Sequence, residues 1–252
     1  MGLASGRWER IENQFLPLLI TVLLPVLFLP STAQGDPKGR WLLFALIVLI
    51  IGQALRSLPA IGLGPSSPLW VLGHRLVGGL AGATALAFIR FGENNLLAFK
   101  AMLLPLGLFL LITSVRLVSL LARVPRVNGK VMAGAAAGYL LLGLTGGVLA
   151  SITQSFVPGA FLLGTTSTHH MLLERLTYYS FITLGGLGYG DVLPGNAYGE
   201  RFAILLSVSG TLYVVLLVGL LLGRFIASEE ARFLELDEDE HHKGNGPAPR
   251  DQ

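Results

Sequence analysis

Thr183-Leu184-Gly185-Gly186-Leu187-Gly188-Tyr189-Gly190-Asp191 sets Gly188 and Gly190 at alternate positions around an aromatic residue. A strand that aims successive carbonyl oxygens at one axis must alternate between right- and left-handed backbone, and only glycine enters the left-handed region without steric cost. Upstream, residues 171–184 are apolar but too short to cross a bilayer, which suits a re-entrant helix buried in protein. Downstream, residues 201–226 form an apolar run long enough to span. A plain glycine turn between helices would need neither the short apolar helix before it nor the long runs that flank it.

The rest of the chain is of the same character. Of 252 residues, 52% are hydrophobic and 13% charged, with a mean hydropathy of +0.66, more apolar side chain than one soluble core can hide. This is the composition of an integral membrane protein, with no room for a soluble catalytic domain. Further apolar runs lie near 14–30, 41–58, 69–90, 97–122 and 131–154, so six spans are expected in total. Cysteine is absent, which excludes disulfides and thiolate metal sites. Basic residues are spread among loops rather than clustered, which gives no support to nucleic-acid binding.

Loop charges suggest an orientation. With the N-terminus cytoplasmic, the inside holds Arg7, Arg10, Arg56, Arg75, Arg123, Arg126, Lys130, Arg224, Arg232, Lys243 and Arg250, and the outside only Lys38, Arg40, Arg90, Lys100, Arg175 and Arg201. Both termini are therefore expected in the cytoplasm, with the glycine loop facing outward. The first run has a second reading, since Arg7 and Arg10, the stretch Phe15 to Pro30 and then Ser31-Thr32-Ala33 also fit the three regions of a cleavable signal peptide. From Glu229 the chain turns acidic and then Gly/Pro-rich, the pattern of a solvated tail.

The glycine loop resembles the selectivity filter of potassium channels, most closely in Gly188-Tyr189-Gly190-Asp191. Leu176 to Leu184 is similar to that family's pore helix, Val192-Leu193-Pro194 to its outer exit, Gly138 to Gly143 and Pro158 to Phe161 to the outer helix and turret of bacterial members with a single pore domain, and Gly210 to Val218 to the inner helix. The resemblance implies an all-α membrane protein of six transmembrane helices with a re-entrant pore helix and filter between the last two. It divides the chain into a four-helix membrane domain at 1–128, a pore domain at 129–228 and a cytoplasmic tail at 229–252. It also implies a homotetramer in the cell (inner) membrane with the lipid bilayer as surroundings, no obligate soluble partner and no cofactor, and potassium as the permeant ion. The ion would be held by the backbone carbonyls of Gly186, Leu187, Gly188, Tyr189 and Gly190, with Thr183 and Asp191 supporting the loop.

This chain departs from the pattern at Gly185 and Gly186, where the family usually carries two threonines. The second of those hydroxyls supplies the innermost ring of ligands, so Gly186 leaves only its carbonyl, and weaker rejection of sodium is expected. Leu187 replaces the commoner valine. Steep voltage gating is not expected, because the fourth run holds Arg116 as its one base away from the ends, with Lys100 near its outer end, and each charge moved through the membrane is worth about 2.3 kcal/mol per 100 mV. Gly210 and Gly219 are candidate hinges of an inner gate, although small residues also serve close helix packing. His170 and Glu174 stand one helical turn apart and could share a metal, but no nucleophile and base combination accompanies them, so an enzyme is not expected. A transporter subunit or a non-conducting protein with a pore-like fold is the stronger rival; the chain has one filter-like loop and no internal repeat.

Overall fold

A computed structural model of the protein describes residues 2–28, 37–57, 68–91, 95–124, 127–164, 169–219 and 221–227. The apolar runs become helices α1 (Gly2–Phe28), α2 (Pro37–Ser57), α3 (Pro68–Phe91), α4 (Leu96–Leu121) and α5 (Gly129–Phe156). After α5 come a short strand β1 (Phe161–Leu162), the helix α6 (His169–Leu184), the glycine loop, a second strand β2 (Leu193–Pro194) and the helix α7 (Ala197–Leu212). α7 runs on into a π turn at Tyr213–Val218, and residues 221–227 are helical again. The acidic tail from Glu229, with His241 and His242, and the segment Pro30 to Ala33 lie outside the described residues.

Among the described residues, four stretches are long and apolar enough to cross a membrane: Ile11–Phe28, Val71–Arg90, Leu96–Leu121 and Gly129–Phe156. α2 carries a shorter apolar stretch, Phe44–Arg56. The protein is an all-α membrane protein whose extended backbone is confined, among the described residues, to one two-stranded pairing. Asparagine starts three of its helices. Asn95 Oδ1 accepts from the amides of Leu97 and Ala98 at 3.0 and 3.1 Å, Asn128 Oδ1 from Val131 at 3.1 Å, and Asn196 Oδ1 from Tyr198 and Gly199 at 3.0 and 3.3 Å. Each satisfies amide groups that the first helical turn leaves without partners.

α5 is the hub. α1 packs on α2 and α5, α2 on α3, α3 on α4, and α4 back on α5. One apolar core with Phe15, Leu18, Phe99, Met102, Phe109, Leu117 and Leu141 runs through these helices and across the boundary expected at 128/129. The first segment contributes Ile11, Phe15, Leu18 and Val22 to that core, with the Phe15 ring lying over Gly134. A polar pair stitches α4 to α5, where the hydroxyls of Ser114 and Thr145 are buried 2.9 Å apart.

On its other side α5 receives α6. A β-carbon at Gly143 would run into the Phe181 ring, one at Gly146 into the Ser180 hydroxyl and one at Gly147 into the backbone and side chain of Thr177. These three glycines let the two helix backbones approach closely, as small residues do in membranes. Ser180 Oγ donates to the Gly143 carbonyl at 2.7 Å and fixes the register. Gly147→Ala should therefore destabilise the folded protein by about 1–3 kcal/mol through overpacking. Gly79→Ala, where a β-carbon meets nothing within 4 Å, should be close to neutral; thermal melting in detergent checks both.

Candidate functional site

The glycine loop leaves α6 through a tight set of backbone bonds. Gly185 N donates to Phe181 O at 2.9 Å, Gly186 N to Thr183 O at 3.1 Å, Leu187 N to Ile182 O at 2.8 Å, and Gly188 N to the same oxygen at 3.3 Å. Gly186, Gly188 and Gly190 have φ of 73°, 54° and 79°, while no non-glycine residue among those described has positive φ. The handed alternation expected at Gly188 and Gly190 is present, and it begins two residues earlier, at Gly186.

Thr183 and Asp191 brace the loop from two sides. Thr183 gives its carbonyl to Gly186, and its side chain lies near the Tyr179 phenol, one turn back on α6. Tyr179 is buried, its ring 5.1 Å from that of Phe161 on β1. Asp191 lies 3.8 Å from the Arg175 guanidinium and near enough to the Tyr178 phenol to act on it electrostatically. The Tyr178 phenol is held above its ordinary range by desolvation first and by the Asp191 carboxylate second. Burial raises the Glu174 carboxyl as well, against the opposing charge of Arg175. With Val26 of α1, Thr177 and Phe181, the groups Glu174, Arg175, Tyr178 and Asp191 line a cavity of about 370 Å³ behind the loop.

Beyond Asp191 the chain is held again. β2 pairs antiparallel with β1, Phe161 opposite Pro194 and Leu162 opposite Leu193, and Gly195 N donates to Ala160 O at 2.8 Å. α7 then passes so close to the end of α6 that a β-carbon at Gly210 would collide with the Leu184 carbonyl. At the start of the π turn, Tyr213 is buried and donates its hydroxyl to the Ala135 carbonyl at 2.6 Å, over the space left by Gly138. Farther along, Arg224 Nη1 donates to Val124 O at 3.1 Å and Ala122 O at 3.4 Å, at the end of α4.

The loop's own surface is open on one chain. Leu187 and Tyr189 are 61% and 68% exposed, and residues 185–191 are all exposed, although the helices around them are packed. A re-entrant helix, a glycine loop of alternating hand and a closing inner helix form a pore-loop unit. This part of the chain is similar to ion-channel pore domains. Residues 135–227 match the family model described as Ion channel. The A-type voltage-gated potassium channel KCND3 of Rattus norvegicus, Oryctolagus cuniculus and Homo sapiens is 28% identical over 88 residues, 35% of this chain. The chain spans only 13% of the length of these curated relatives.

Outside the pore domain, the structure brings forward a residue that the sequence reading passed over. His74 on α3 is buried, stacked on the Phe109 ring at 4.7 Å and 19°, with neither ring nitrogen hydrogen-bonded. Arg116 on α4 lies close enough to act on it electrostatically. A lone histidine in an apolar helix was the available signal. Among the described residues no group of three or more His, Cys, Asp and Glu could hold a metal ion, and the side chains of His169 and His170 lie outside that description.

Tyr178 is the measurable brace of the pore loop. Removing the phenol hydroxyl beside Asp191 in Tyr178→Phe should speed amide exchange of the loop through Asp191. Tyr198→Phe, at an exposed position on α7, should leave it unchanged in hydrogen–deuterium exchange.

Proposed function

We propose that four copies of this chain assemble around residues 186–190 and pass monovalent cations, potassium preferred, down their electrochemical gradient. The observation that carries this reading is the left-handed backbone at Gly186, Gly188 and Gly190 in a loop that stays exposed on one chain while both its ends are tied down. Carbonyls of Gly186, Leu187, Gly188, Tyr189 and Gly190 replace the hydration shell of the ion, with potassium seated from Gly186 to Tyr189. The exposed side chains of Leu187 and Tyr189 pack against a neighbouring copy, and Asp191 draws cations to the outer mouth. The pore lies in the cell (inner) membrane with both termini cytoplasmic, in keeping with the loop charges. No resident cofactor is invoked.

Discrimination against sodium is looser than usual for such pores, because no hydroxyl stands at Gly186 to complete the innermost ring. The curated relatives are named as voltage-gated, but α4 carries only two bases, Lys100 in its first turns and Arg116, too few for steep gating, so conductance here changes little over tens of millivolts. The inner helix supplies the gate. Gly219 adjoins the π turn with nothing within 4 Å of a β-carbon, whereas Gly210 is pressed against Leu184, which favours bending at the π turn and Gly219.

Reconstituted protein decides the matter. Potassium should flow through a tetrameric species, with a reversal potential under opposed potassium and sodium gradients that falls short of an ideal potassium electrode. An ideal shift would remove the claim of loose selectivity, and a monomer with no flux in liposomes would favour a non-conducting protein of pore-like fold.

A further inference from the structure

The innermost filter position closes the pore helix. With α6 ending at Leu184, Gly185 is the C-cap residue and Gly186 the residue after it, in left-handed conformation at φ 73°. Two bonds define the closure: Gly186 N reaches back to Thr183 O at 3.1 Å, and Leu187 N to Ile182 O at 2.8 Å. This is the paired inner and outer bond pattern of a Schellman cap, with glycine in the position that the motif reserves for left-handed backbone. A β-carbon at Gly186 would meet nothing within 4 Å, so the constraint there comes from backbone conformation and not from space.

We infer that Gly186 is a positioning residue for selectivity: it fixes the base of the filter by capping α6, and the position therefore cannot carry a threonine hydroxyl toward the ion path. This inference rests on the proposed cation pore and deepens it, since the missing hydroxyl ring follows from the way the helix is terminated. A β-branched residue is a genuine outlier at positive φ, whereas asparagine enters that region several-fold more readily than other side chains and is the second choice at such caps. Putting threonine back at 186 does not rebuild the common filter; it breaks the two bonds that aim the loop. Water fills the place of the absent ring, and sodium, which gives up its water less readily, gains on potassium there.

The test compares Gly186→Asn, Gly186→Thr and Gly164→Thr in the full chain. Gly164, with φ 67° and nothing within 4 Å of a β-carbon, imposes the same kind of backbone strain away from the filter. Two readouts are taken: hydrogen exchange of the Gly186 and Leu187 amides, and the reversal potential under opposed potassium and sodium gradients. Asn should keep both amides within about threefold of wild type. Thr should lose at least tenfold of that protection and leave potassium selectivity no higher than wild type, and Gly164→Thr should leave both readouts as they are. A Gly186→Thr protein that keeps its amide protection, or whose potassium preference rises tenfold, overturns the inference, as does an Asn variant that behaves like Thr. Failure of the pore reading looks different: wild type itself carries no current, while the order of Asn and Thr in exchange still decides the cap.

Discussion

The close approach of α6 to α5 governs the pore domain. Gly143, Gly146 and Gly147 remove the side chains that would hold the helices apart, and Phe181, Ser180 and Thr177 fill the space. Lipid tails are as apolar as leucine, so helix association in a membrane depends on packing and interhelical hydrogen bonds. Here both act at one place, because Ser180 bonds the carbonyl of the same Gly143 that seats Phe181. With α6 fixed, its C-terminal cap sets where the loop starts, and the β1–β2 pairing sets where it ends. The loop is strung between two anchored points, and its glycines take up the conformations that lie between them.

The helices before the pore domain are a brace built onto α5. Two thirds of the α5 span is buried, 67% against 28–44% for the other three long spans, because α1, α4 and α6 all lie on it. Polar links close the end of the bundle where α5 starts: Asn128 Nδ2 donates to Glu12 at 2.6 Å, Lys130 Nζ to Asn13 at 2.6 Å, and Arg224 binds carbonyls at the end of α4. An arginine at a helix C-terminus meets carbonyls left without partners and the negative end of the helix dipole. The inner helix is thereby tied to the connection between α4 and α5, the same connection that α1 grips through Glu12 and Asn13. Any rearrangement of the inner helix at this end must break or carry along these links.

Hydropathy made the helices legible, because a bilayer demands long apolar runs and leaves few other solutions. Gly188-Tyr189-Gly190-Asp191 was legible for a similar reason, since repeated left-handed backbone admits hardly anything but glycine. Other features left no such trace. β1 and β2 are two residues each, too short for a period of two to register, and they are specified by the ends of the segments they join. The π turn at Tyr213 depends on a tyrosine reaching a carbonyl 78 positions earlier in the chain, a contact that no local pattern encodes. Gly186 was read as a missing threonine, a loss in the filter; its second role as a helix cap emerges only from the bonds of Thr183 and Ile182. Gly210 was open between hinge and packing, and the Leu184 carbonyl beside it argues for packing.

The exposure of residues 185–191 bears on assembly. Irregular backbone at membrane depth is tolerated only where it is buried in protein or lines a water-filled path, because each unsatisfied polar group costs several kcal/mol in hydrocarbon. On a single chain the loop has neither protection, and its two large side chains stand 61% and 68% exposed beside it. Lipid could cover Leu187 and Tyr189, but it could not satisfy the carbonyls between them. Further copies of the chain can do both at once, taking the side chains into their interfaces and leaving the carbonyls to face ions and water along a shared axis. The cost of leaving this loop alone in a bilayer is thus the physical argument for the proposed tetramer, and it holds independently of which cation passes.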